Sequence, residues 1–148
     1  MKDVKYNYFH WGPFLFHATV TPEECDLVEQ AAARCRNKKF DYRHNLAGHI
    51  HEEYDLSSEA NTLAPMFKRY FEAYSAGFNK WKGGGTMKPN FNLVALWVNF
   101  MKANEFNPPH DHSADLSFVL YPHMPKEIKE ECDNFKGTMR GPGGISWL

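Results

Sequence analysis

Cysteine is scarce, with three in 148 residues. Cys25 and Cys35 fall in one predicted helix, roughly 15 Å apart along its axis, which exceeds disulfide reach. Cys132 stands alone in a charged segment. With no CxxC pair, the chain offers no disulfide framework and no zinc knuckle, and three free thiols fit a reducing cytosol. A basic excess is also missing: 17 Lys and Arg face 18 Asp and Glu, for a net charge of −1. That argues against a nucleic-acid binder driven by phosphate neutralisation. The longest apolar run, Leu93 to Val98, is too short to span a bilayer. The first twenty residues carry no secretory pattern, so a cytoplasmic protein is expected. Neither GxxxxGK[ST] nor GxGxxG occurs, which removes the common phosphate-binding loops.

Aromatic residues, by contrast, are plentiful. Four Trp, seven Tyr and 12 Phe are too many for a disordered chain and enough for one packed domain. Phe14, Phe16, Ala18 and Val20 alternate with Leu15, His17 and Thr19, a period of two that predicts a strand. Thr21-Pro22-Glu23-Glu24 starts a helix, with Thr as N-cap, Pro in the first position and Glu at the third. This helix is expected to reach Cys35, with Leu27, Val28, Ala31 and Ala32 facing the core. Asn45 to His51 reads as a short strand or an ordered loop. Ser57 or Ser58 is expected to cap a second helix ending near Trp81. Its stripe of Leu63, Phe67, Tyr70, Phe71, Tyr74, Phe78 and Trp81 has helical spacing and reads as core.

After the break at Lys82 to Thr86 the pattern changes. Leu93 to Met101 predicts a strand buried on both faces, and Asp115 to Tyr121 a second one. Lys126 to Cys132 reads as a short helical turn, Gly137 to Gly144 as a glycine-rich turn, and Ile145 to Leu148 as the start of a strand. Helices first and strands afterwards imply an α+β class. Residues 1–148 form a single domain on this reading, with 1–81 a helical support region and 82–148 the β-rich part.

Two histidine pairs are spaced by two residues, His49/His51 and His110/His112. In an extended segment that spacing puts both rings on one face. Two imidazoles so placed can share one metal ion at about 2.0–2.1 Å. His49/His51 lies in a polar stretch beside Glu52-Glu53 and reads as solvated. His110-Asp111-His112 follows the Pro108-Pro109 turn, between two apolar segments, where sites are commonly built. Trp97, Phe118 and Trp147 read as core.

The stretch Trp97-Val98-Asn99-Phe100, Phe106-Asn107-Pro108-Pro109-His110-Asp111-His112 and Leu116-Ser117-Phe118-Val119-Leu120-Tyr121 resembles the phage-type 2-oxoglutarate/Fe(II)-dependent oxygenases. These are relatives of the prolyl-hydroxylase-type dioxygenases. Gly141-Pro142-Gly143-Gly144-Ile145-Ser146 is similar as well. The resemblance implies a double-stranded β-helix (jelly-roll) core, incomplete at the C-terminus, with the N-terminal helices packed on it. It implies Fe(II) held in part by His110, with 2-oxoglutarate and dioxygen as cosubstrates and an unknown substrate to be hydroxylated. The aspartate of the family's HxD pair is replaced by His112, so either His112 or Asp115 is the second metal ligand. Tyr121 and Asn99 are the candidates for contacting 2-oxoglutarate. The family's distal histidine and its carboxylate-gripping arginine lie beyond the segment resembling Gly141–Leu148. Exposed sheet edges would then invite self-association or a complementing chain. The phage-type resemblance places the protein in a host cytoplasm. The rival expectations are a non-catalytic jelly-roll module and a histidine-only, cupin-like metal site.

Overall fold

The computed structural model describes residues 12, 14–84, 88 and 90–137. Three α-helices and one two-stranded antiparallel sheet are found among them.

Helix α1 spans Pro22–Cys35. Its start is closed reciprocally, as the sequence predicts. Thr21 Oγ1 accepts from the Glu24 amide at 3.3 Å, and Glu24 Oε2 accepts from the Thr21 amide at 3.0 Å. Two amides that the helix leaves unpaired are thereby satisfied. The buried face is Val28, Ala31, Ala32 and Cys35. Helix α2, Ala60–Trp81, is entered through a 3₁₀ turn at Ser57–Glu59. Neither Ser57 nor Ser58 caps it by a side-chain bond. The Ser57 amide instead donates to Asp55 Oδ1 at 2.8 Å. The helix ends at Trp81 as expected. Gly83 and Gly84 take positive φ (76° and 109°), and the Gly84 amide turns back to the Asn79 carbonyl at 3.0 Å. That left-handed exit favours glycine.

The two helices enclose the core. Val28, Ala31 and Cys35 of α1 meet Leu63, Met66 and Phe67 of α2, with Leu56 between them. Leu63 and Ala31 have no exposed surface. Arg34 grips Glu59 with two bonds, 2.9 and 2.7 Å, tying the end of α1 to the entry of α2.

Strand β1, Glu53–Asp55, pairs with β2, Trp97–Asn99, in the register Glu53↔Asn99, Tyr54↔Val98 and Asp55↔Trp97. The ladder continues through Leu56 N–H to the Leu96 carbonyl at 2.8 Å and Phe100 N–H to the Glu52 carbonyl at 2.9 Å. Asp41 bridges to Tyr54 on the other side. Val98 and Leu96 pack on the helical core.

This architecture corrects the expected fold. The class is α+β, but no double-stranded β-helix is present among the described residues: the sheet has two strands of three residues each. The predicted strand Leu93 to Met101 shrinks to Trp97–Asn99, while Val94 is 78% exposed. Asp115 to Tyr121 is not a strand and has no strand partner among the described residues. It uses Phe118 against Phe67 and Phe71, at centroid distances of 5.0 and 5.5 Å. Phe14 to Val20 is not a strand either. Phe14, Phe16 and Val20 are half-buried but Ala18 is exposed, and Phe14 and Phe16 lie on the aromatic face of α2, where Phe14 meets Tyr74 at 5.4 Å. A period of two records which side chains are covered, and a helix covers them as well as a sheet does. Helix α3, Lys126–Asn134, matches the expected helical turn and buries no residue. The predicted turn at 138–144 and the strand at 145–148 lie outside the described residues. No helix among the described residues is long and apolar enough to cross a membrane.

Candidate functional site

A cleft of about 500 Å³ opens beside the β1–β2 ribbon. Three stretches line it: Tyr42 to Ala47, Glu53 with Ala95 and Trp97 of the ribbon region, and Asn107 to Ser113. The first and last of these stretches come together at Gly48. Its chain runs against Phe106 and Asn107 so closely that a Cβ there would lie 2.2 Å from the Phe106 carbonyl oxygen. His49 and Phe106 seal the approach by exchanging backbone bonds of 2.8 and 3.2 Å.

The turn before that bridge is braced by one carboxylate. The Glu105 side chain is only 3% exposed. It accepts from the Lys102 amide at 2.8 Å, from the His51 amide at 3.1 Å and from the His51 ring. The Lys102 amide, then the His51 ring, holds its pKa below the ordinary carboxylate range. Asn104 fits this turn at φ 65°, a conformation asparagine tolerates. His49 and His51 are therefore scaffold: exposed rings on the bridge that carries the 106–112 segment.

His110 and His112 come together as expected, with ring centroids 4.8 Å apart and planes at 72°. His110 Nδ1 donates to the Pro108 carbonyl at 2.8 Å. A ring protonated at Nδ1 keeps its lone pair on Nε2, and metal-binding histidines are commonly fixed in this way. His112 packs on Trp97 at 5.3 Å, and Trp97 stacks on Tyr42 at 6.1 Å. Trp97, expected in the core, thus lines the cleft and packs against the second histidine.

The other expected site residues lie elsewhere. Asp115 is exposed and Tyr121 is 49% exposed, and neither lines the cleft. Asn99 stands in the ribbon, paired across it with Glu53, to which its amide is hydrogen-bonded. Its Oδ1 is buried with no hydrogen-bond partner among the described residues.

Glu53 is the site residue that the sequence did not disclose. It is 3% exposed, and burial raises its pKa, opposed by the Asn99 bond and the proximity of His110. Glu52-Glu53 looks like a solvated acidic pair. Only the alternation Glu53, Asp55 against Tyr54, Leu56 hints that one glutamate turns inward.

The cleft's charge bears on the implied groups. Neutral imidazoles suit Fe(II), Zn, Cu and Ni, so the histidine pair fits a transition metal. 2-Oxoglutarate is a dianion that needs cationic or donor-rich surroundings. None of the lining residues is Lys or Arg, while Glu53 and Asp111 are acidic. Arg43, beside Tyr42, is committed to Asp41 through bonds of 2.8 and 2.6 Å, which lower the Asp41 pKa to about 2. No three His, Cys, Asp or Glu side chains among the described residues form a group that could hold a metal, and the lining does not fit 2-oxoglutarate. No family model, curated protein or solved structure matches the chain.

Proposed function

We propose that the chain binds one divalent transition metal between His110 and His112, at the mouth of the cleft. The supporting observation is the Nδ1 bond of His110 to Pro108, which leaves Nε2 as the free donor, with the second ring 4.8 Å away. Fe(II) is the ion favoured by the oxygenase resemblance of residues 97–121, and bound there it would supply dioxygen chemistry on an unknown substrate. His110 and His112 hold the ion, Trp97 keeps the His112 ring in place, and the bridge at His49 and Phe106 fixes the segment carrying both. 2-Oxoglutarate is not part of this reading, because the lining residues oppose a dianion.

Anaerobic calorimetric titration with Fe(II) tests it. One ion per chain is expected for the wild type, with at least a tenfold loss for His110→Ala and for His112→Ala. Adding 2-oxoglutarate should leave the binding isotherm unchanged. Equal binding by wild type and His110→Ala would overturn the proposal. The pair would then be a packing device, as the stack of His112 on Trp97 also allows.

A further inference from the structure

Glu53 is a buried carboxylate that the fold leaves without a cation. It is 3% exposed, lines the cleft, and forms no ion pair among the described residues. Two arginines of the surrounding segments are already committed, Arg36 to Glu52 and Arg43 to Asp41. None of the lining residues is Lys or Arg, and the exposed Asp111 adds a second carboxylate to the lining. A carboxylate buried without a partner costs free energy that a bound cation offsets.

Donors are also scarce beside it. Asn99, set opposite Glu53 by the register, is hydrogen-bonded to that carboxylate, and its Oδ1 is buried with no partner among the described residues. Beside Glu53 the lining turns aromatic. Tyr42, Trp97 and His112 follow one another in contact, with centroids 6.1 and 5.3 Å apart. A volume of about 500 Å³ suits one small molecule or one long side chain. The chemistry asked for is a cation that is rich in N–H donors, flat, and weakly enough hydrated to leave water for an aromatic surface. A guanidinium meets all three conditions, whereas an ammonium is compact and strongly hydrated.

We propose that the cleft binds a guanidinium group, with its charge on Glu53 and its flat face along the Tyr42, Trp97 and His112 rings. This site goes beyond the metal reading and stands whether or not an ion binds.

Calorimetry on the full chain, with chelator present to exclude metals, tests it with Nα-acetyl-L-arginine amide. One molecule per chain is expected. The citrulline counterpart keeps the shape and lacks the charge, and should bind at least about tenfold more weakly. The lysine counterpart should also bind more weakly. Glu53→Gln should lose about tenfold or more, because a charge-assisted bond becomes a neutral one. Glu52→Gln, which touches Arg36 and does not line the cleft, should stay within about twofold of wild type. The proposal is overturned by no binding to the wild type, by equal or tighter binding of the citrulline or lysine ligand, or by wild-type affinity in Glu53→Gln. If circular dichroism shows that Glu53→Gln does not fold, the wild type carrying ¹³C-labelled glutamate decides. The Glu53 carboxyl resonance should move as the arginine ligand binds, and an unmoved resonance at saturation rejects Glu53 as its partner. Free L-arginine separates the two sources of the group. Tighter binding than the capped amide supports a small molecule, weaker binding supports an arginine side chain of a peptide, and both put a guanidinium in the cleft.

Discussion

Residues 21–84 and residues 90–137 are similar in aromatic richness and differ in how they are held. In the first segment, two helices are closed by their own ends: a capping box at Thr21 and a left-handed exit at Gly83 and Gly84. Among the described residues, every buried one belongs to this segment, from Val28 to Ser75. In the second, β2 is three residues long, α3 buries nothing, and Val94, Met101, Phe106 and Val119 are more than half exposed. Helical bonds close within four residues, so a sequence that encodes a helix carries its own partners. A strand satisfies its backbone only against another strand, and β2 finds its partner in residues 53–55. The second segment is thus held to the first by one ribbon, by the His49–Phe106 bridge and by scattered aromatic contacts.

That contrast can be broken most severely from inside the helical core. Leu63→Ala, at a site with no exposed surface, should cost about 2–5 kcal/mol, read as a lowered urea midpoint. A loss under 1 kcal/mol would mean the α1–α2 core does not govern stability. Gly48→Ala acts at the junction of the two segments. The new methyl group must displace Phe106 and Asn107, at a cost of about 1–3 kcal/mol by the usual penalty for overpacking. Amide exchange around 106–112 should accelerate and metal affinity fall, while α1 and α2 keep their protection. Thr21→Ala removes half of the capping box and should cost about 1 kcal/mol, with fraying confined to the start of α1.

Acid sharpens the comparison without mutation. The depressed pKa of Glu105 means that its contribution is fully present above the ordinary carboxylate range and is lost as pH falls through the folded value. The 102–106 turn should therefore loosen in acid, seen as faster exchange at the His49 and Phe106 amides, and Glu105→Gln should flatten that dependence. Val94→Ser, at an exposed apolar position, should change stability by less than about 0.5 kcal/mol. A larger loss would show that the second segment has packing partners that the described residues do not include.

The same contrast explains what was legible in the sequence. Both long helices could be placed because their signals are local: Thr21-Pro22 at one start, the Leu63 to Trp81 stripe, and glycines after Trp81. The strands could not, because alternation at Phe14 to Val20 and hydrophobicity at Leu93 to Met101 name no backbone partner: Phe14 and Phe16 lie on α2, and Val94 and Met101 are exposed. The β-helix expectation followed from the resemblance of residues 97–121 and gave way once each stretch was seen with its partner. At the candidate site, the histidine pair was legible because both rings lie on one short segment. Glu53 was not, because its inward turn depends on a register with Asn99 that no local pattern encodes.

The metal reading is tested most directly by X-ray absorption at the edge of bound Co(II), since the multiple scattering of imidazole rings counts them. Two imidazoles per ion, with nitrogen at about 2.0–2.1 Å, are expected for the wild type, falling to one in His112→Ala. A spectrum fitted by oxygen ligands alone would contradict the account.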